Sequence, residues 1–193
     1  MQLLDTFMPE YDRSVRQTTD VRAEAAALAS SILRTDLGGC EVVRVLLGRN
    51  CSRSVLDMVA PPPGRLTLKQ FQALGCVVLT SADTHEVAVG AMGMLSSARF
   101  ELWPVDAERF CNPREPNVAK MLWHFAVAPA GVRSVLTVET RLRCAVNSDA
   151  QRLLLRWDAL EPLRARARRE LLLAMKARAE RDHAGQYGGD VWD

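Results

Sequence analysis

Two stretches in the second half of the chain alternate apolar and polar side chains with a period of two, the signature of half-buried strands. In residues 119–128 the apolar set is Met121, Trp123, Phe125 and Val127. In residues 134–144 it is Leu136, Val138 and Leu142, with Thr140 in the same phase. Pro129, Ala130 and Gly131 between them predict a hairpin turn, with Trp123 opposite Val138 and Phe125 opposite Leu136. That pairing brings both apolar sets onto one face. Lys120, His124, Thr137, Glu139, Arg141 and Arg143 fall on the other. The division predicts one covered face and one wet face. A helical pattern follows over residues 149–181, where Trp157, Leu160, Leu163, Ala167, Leu171 and Met175 make an apolar stripe. This helix is the predicted cover, kinked or broken near Pro162.

The rest of the pattern supplies shorter elements. Residues 11–18 read as a first, edge-like strand. Asp20 is placed to cap a helix in which Val21, Ala25, Leu28 and Ile32 share a face, stopped by Gly38 and Gly39. EVVRVLLG gives a second helix ending at Gly48. Over residues 49–65, SRSVLDMV suggests a helical turn and Pro61, Pro62, Pro63 and Gly64 a stiff extended connector. Thr67 and Gln70 have capping-box spacing, Leu68, Phe71 and Leu74 share a face, and Gly75 is placed to end that helix left-handed. Strands are expected over 76–81, 85–95 (after a turn around Asp83) and 98–105. Residues 106–117 read as a helical turn and loop. No repeat or second-domain boundary interrupts the pattern. Residues 1–182 therefore read as one domain, and the Gly-rich 183–193, with Trp192, as a mobile tail.

Composition narrows the class. A chain of 193 residues with 48% hydrophobic and 25% charged positions suits one soluble globular domain. A net charge of +2 gives no global argument for nucleic acid or an acidic membrane. No apolar run is long enough to cross a bilayer, and the N-terminus lacks the basic start and apolar core of a secretory signal. The five cysteines are scattered without a C-x-x-C pair and read as reduced, packed thiols, which implies a cytoplasmic setting.

LLDTFMPEYD near the N-terminus, LTLKQFQALG (66–75), WHFAV (123–127), LTVETRL (136–142) and RRELLLAMKARAE (168–180) occur in that order. This ordered set resembles the START-related helix-grip superfamily (SRPBCC; polyketide cyclase/dehydrase and lipid transport), and within it a bacterial branch. The resemblance spans most of residues 3–180. It implies an α+β helix-grip fold, in which two short helices follow the first strand and a curved antiparallel sheet wraps a long C-terminal helix around a cavity. Members bind lipids, hormones or polyketide-like compounds and only some are enzymes, so the fold alone leaves function open.

The candidate ligand-binding residues are Trp123, Phe125, Leu136, Val138, Thr140, Met92 and Trp157. Each has a plainer reading as packed core, with Met92 and Met94 suited to either an adaptable wall or a filler role. Thr140, the polar member of an apolar face, either meets a ligand or bonds locally. The catalytic candidates are Glu139, Arg141 and His124, with Lys120 beside them. They suit acid–base chemistry if turned inward, and a solvated cross-strand charge set if turned outward. The helix arginines at 152, 156, 164, 166, 168, 169, 178 and 181 read as a solvated face diluted by acids. His85, His124 and His183 have no metal-ligand spacing, GAMG at 90–93 lacks the helix of a phosphate loop, and no G-x-S-x-G occurs. No metal or cofactor is expected. The favoured function is binding or carrying a small hydrophobic molecule. A polyketide cyclase/dehydratase-like enzyme is the alternative, and an interaction protein with a filled core the second. The expected partner is a small hydrophobic ligand, with neither nucleic acid nor stable membrane insertion. An exposed sheet edge would allow a homodimer.

Overall fold

The computed structural model describes residues 3–50, 65–81, 85–96, 99–115, 118–144 and 148–187. The readings of the 51–64 connector, the turn at Asp83 and Trp192 lie outside these residues. Six strands form one curved antiparallel sheet. They are β1 (Arg13–Val21), β2 (Val77–Ser81), β3 (Glu86–Ser96), β4 (Arg99–Trp103), β5 (Val118–Ala130) and β6 (Arg133–Cys144). The order is β1-β6-β5-β3-β2, with β4 pairing with β3 as well. β2 takes residues 86–90 of β3 and β4 takes 92–96, so the two short strands share one edge.

The hairpin sits two residues out of the predicted register. Trp123 faces Thr140, Phe125 faces Val138 and Val127 faces Leu136. The reason is that β5 runs on through Pro129 to Ala130 and turns over Gly131 and Val132, with Gly131 at φ +66°. A slip of two preserves the face of every side chain, whereas a slip of one would have inverted it.

The helices are α1 (Leu3–Phe7), α2 (Ala25–Ile32), α3 (Glu41–Asn50), α4 (Ala107–Cys111), α5 (Ser148–Ala159) and α6 (Glu161–Tyr187), plus a 3₁₀ turn at Leu68–Leu74. Val21 ends β1 instead of starting α2, and Asp20 caps nothing; Glu24 holds the N-cap position. Thr67 N donates to Gln70 Oε1 at 2.7 Å, the reciprocal half of the expected capping box, and Gly75 closes the turn at φ +92°. The terminal helix breaks at Leu160. Pro162 becomes the second residue of α6, where its missing N–H costs nothing. α6 continues to Tyr187, so the first residues assigned to a tail are helical.

Two cores lie on opposite sides of the sheet. The larger packs Val87, Val89, Phe125, Val127, Leu136 and Val138 against Leu171, Leu172 and Met175 of α6, with α2 and the 3₁₀ turn closing its ends. The face expected to be wet is covered instead. Leu4 and Met8 at the N-terminus and Phe110 of α4 pack on Ala88, Met92 and Leu122. Phe110 fits because Gly90 has no side chain; a Cβ there would lie 2.9 Å from Phe110 Cε2. Short segments outside the periodic run thus supply a second layer that the hairpin pattern does not announce.

Candidate functional site

A hollow lies where the first half of α6 crosses β5 and β6. Its apolar wall is Val43 of α3, Trp123, Val138, Ala167 and Leu171. Its polar wall is Thr140, Arg164 and Arg168. The free space is about 20 Å³, room for an ordered water. Each side chain is set by a neighbouring element. Phe71 of the 3₁₀ turn packs its ring on Trp123, centroids 5.9 Å apart. Val43 is carried in because α3 docks on α6, where Val42 N donates to Glu170 Oε2 at 2.9 Å. Further along, Arg22 N donates to Glu180 Oε1 at 2.9 Å and Lys176 Nζ to the Asp20 carbonyl at 2.7 Å, which fastens α6 to the end of β1.

The polar wall is where sequence reasoning fell short. Arg164 and Arg168 are 9% and 4% exposed, not part of a solvated face. Their spacing carried the signal. Positions 164, 168, 171 and 175 continue one stripe at helical intervals, and only residue type argued against burial. Arg164 lies over Trp157, its Cζ 3.7 Å from the ring centroid, and donates to the Trp157 carbonyl. Arg168 pairs with Glu161, whose other oxygen is 3.4 Å from Arg164 Nη2. Burial pushes the Arg164 guanidinium down to about 10, with Arg168 adding to the fall and Glu161 opposing it. It stays charged at neutral pH. Among the described residues, Thr140 Oγ1, Arg164 Nε, Arg168 Nε and Nη1, and Glu161 Oε2 are buried without a hydrogen-bond partner. Outside this cluster, only Glu115 Oε2 shares that condition among the described side chains. Orphaned polar atoms cost stability, and among the described residues they concentrate at this one hollow.

The sequence-derived candidates divide by face. Trp123, Val138 and Thr140 line the hollow. Phe125 and Leu136 are fully buried in the larger core beside it. Trp157 packs on Leu142 and Cys144 and holds Arg164 from below. Met92 turns to the opposite face, against the N-terminal segment, because even-numbered positions of β3 point away from α6. Met94 shares its phase and is 38% exposed.

Glu139, Arg141 and His124 also lie on that opposite face, and they are not a solvated set. His124 Nε2 is 3.0 Å from Glu86 Oε2, both nearly enclosed, and Glu86 Oε2 accepts from Leu3 N at 2.6 Å. Arg141 Nη1 donates to Asp5 Oδ1 at 2.9 Å and to the Met8 carbonyl at 2.8 Å, and Nε donates to Glu139 Oε1 at 2.9 Å. Its Cζ is 4.4 Å from the Tyr11 ring centroid. These groups clamp the N-terminal segment to the sheet, and none of them lines the hollow. Lys120 Nζ sits over the Phe110 ring at 4.7 Å. The thiols of Cys40 and Cys144 are pushed up to about 11, chiefly by burial.

Strand order, the long terminal helix across one sheet face and the paired short helices after β1 define an α+β helix-grip protein. No family model and no curated protein matches the chain. Solved structures with a distant likeness include the Zhui aromatase/cyclase of Streptomyces, at 16% identity over 93% of this chain and 99% of that one, TM-score 0.37. A START superfamily protein of Mycobacterium smegmatis is similar at 14% identity over 87% and 97%, TM-score 0.34. A Thermus thermophilus protein follows at 10% identity over 86% and 97%, TM-score 0.36. Among the described residues, no helix is long and apolar enough to cross a membrane.

Proposed function

We propose that this protein binds or carries a small hydrophobic molecule between its sheet and its C-terminal helix. The single observation that carries the reading is the hollow itself: an apolar wall with a few convergent polar groups, several of whose atoms have no hydrogen-bond partner among the described residues. A purely structural core would close over such groups or replace them with apolar ones. The present volume suits water, so a ligand enters by displacing it and moving side chains of the wall, with Trp123 and Leu171 as the large members. Occupied and empty forms then differ in packing rather than in fold. Native mass spectrometry of the purified protein tests this. The expected result is a retained or added small apolar molecule in one-to-one ratio. A protein that retains none, and takes up none from a panel of neutral and acidic amphiphiles, is a filled-core protein and not a carrier.

A further inference from the structure

Charge balance says what kind of molecule the hollow suits. Arg164 and Arg168 bring two positive charges to its wall, and both turn to the same carboxylate, Glu161. Asp158 of α5 also acts on Arg164, but it is itself engaged by Arg13 at 3.0 Å. Among the described residues, one positive charge is therefore left over in a place where Arg168 is 4% exposed. An uncompensated buried cation is costly, more so than any other orphaned group. The unpaired donors near it are Arg164 Nε, Arg168 Nε, Arg168 Nη1 and the Thr140 hydroxyl. A water can satisfy a donor, but it leaves the charge standing. A carboxylate does both, since its two oxygens offer about four acceptor sites. A single negative charge also matches the surplus, where a phosphate monoester, at about −1.5 to −2, would exceed it.

Resting on the binding function proposed above, we infer that the ligand is an acidic amphiphile. Its one carboxylate sits against Arg168, Arg164 and Thr140, and its apolar body against Val43, Trp123 and Leu171. Trp157 is a positioning residue here: by stacking under Arg164 it fixes the direction of that guanidinium without reaching the ligand.

Decanoate and 1-decanol test this directly, since they share a chain and differ in head group. Each is titrated onto the full chain below its aggregation limit, by calorimetry and by tryptophan fluorescence, to which Trp123 and Trp157 contribute. The expected result is decanoate binding at least about tenfold more tightly than decanol. Arg168→Gln and Thr140→Val are each expected to weaken decanoate about tenfold or more and to leave decanol within about twofold. Thr140→Val keeps the shape of the side chain and serves where the arginine variant does not fold. Equal affinity for the two probes overturns the carboxylate subsite and leaves the hydrophobic carrier standing. A decanoate preference that survives both substitutions places the carboxylate elsewhere and also overturns it. Binding of neither probe overturns the subsite and the carrier together.

Discussion

Thr140 is 1% exposed with an unpaired hydroxyl, a condition that costs about 1–3 kcal/mol. Replacing it with the isosteric Val removes the orphan without opening a cavity. Thr140→Val is expected to raise the stability of the empty protein by about 1 kcal/mol, read as a rise of about 2–4 °C in a thermal melt. A residue that lowers stability where it stands is one whose retention a ligand can explain. His124 behaves in the opposite way. His124→Ala removes the side-chain partner of Glu86 Oε2, which keeps only Leu3 N, and a loss of about 1–3 kcal/mol is expected in urea unfolding. Val132→Ser at the 90% exposed hairpin tip is the matched control, expected within about 0.5 kcal/mol of the parent. The thiols offer a separate check. Of the described cysteines, Cys111 is half-buried and Cys40, Cys76 and Cys144 are buried. With the Cys40 and Cys144 thiols pushed up to about 11, both stay protonated at pH 8 while folded. Among these four, iodoacetamide at pH 8 should modify Cys111 first, in an order read by peptide mass spectrometry.

Among the elements, the β5–β6 hairpin and α6 were the most legible in the sequence, because each carries a long run at one period. Trp123, Phe125, Val127, Leu136 and Val138 fall on the helix face as their alternation requires, even though the register is off by two. What alternation cannot show is what lies on the second face. Leu4, Met8 and Phe110 come from segments of five or so residues, too short for a period to register. The same limit hid half of the site. Thr140 was visible as a polar residue in an apolar phase. Arg164 and Arg168 were discounted because arginine is ordinarily exposed, and only the three-dimensional meeting of Glu161 and Trp157 with them shows otherwise. The second layer makes its own prediction. Gly90→Ala places a methyl 2.9 Å from both Phe110 Cε2 and Val77 Cγ1, within a packed core. A loss of about 1–3 kcal/mol is expected, and restoring room with Phe110→Leu should recover part of it.

At the scale of the whole molecule, the sheet works as a partition. One side is tied down by His124, Glu86 and Arg141, which fix the N-terminal segment through hydrogen bonds and charge. The other side meets a 27-residue helix mainly through apolar contacts, with the polar hollow near its first half. On the proposed function, that asymmetry separates holding the fold from holding a ligand. Changes on the clamped side should move stability and leave ligand affinity alone, while changes around Thr140, Ala167 and Arg168 should move ligand affinity. Ala167 offers the cleanest intervention, because a large side chain there fills the hollow from the helix while both buried arginines are kept. The most direct measurement is a fluorescence titration of Nile red, a neutral apolar dye, against the parent and Ala167→Phe, with decanoate as competitor. The parent should bind one dye per chain saturably and release it to decanoate, and Ala167→Phe should keep its fold by circular dichroism and lose that binding. Saturable binding that Ala167→Phe leaves unchanged, or no saturable binding by the parent, would contradict a ligand site between the sheet and the helix.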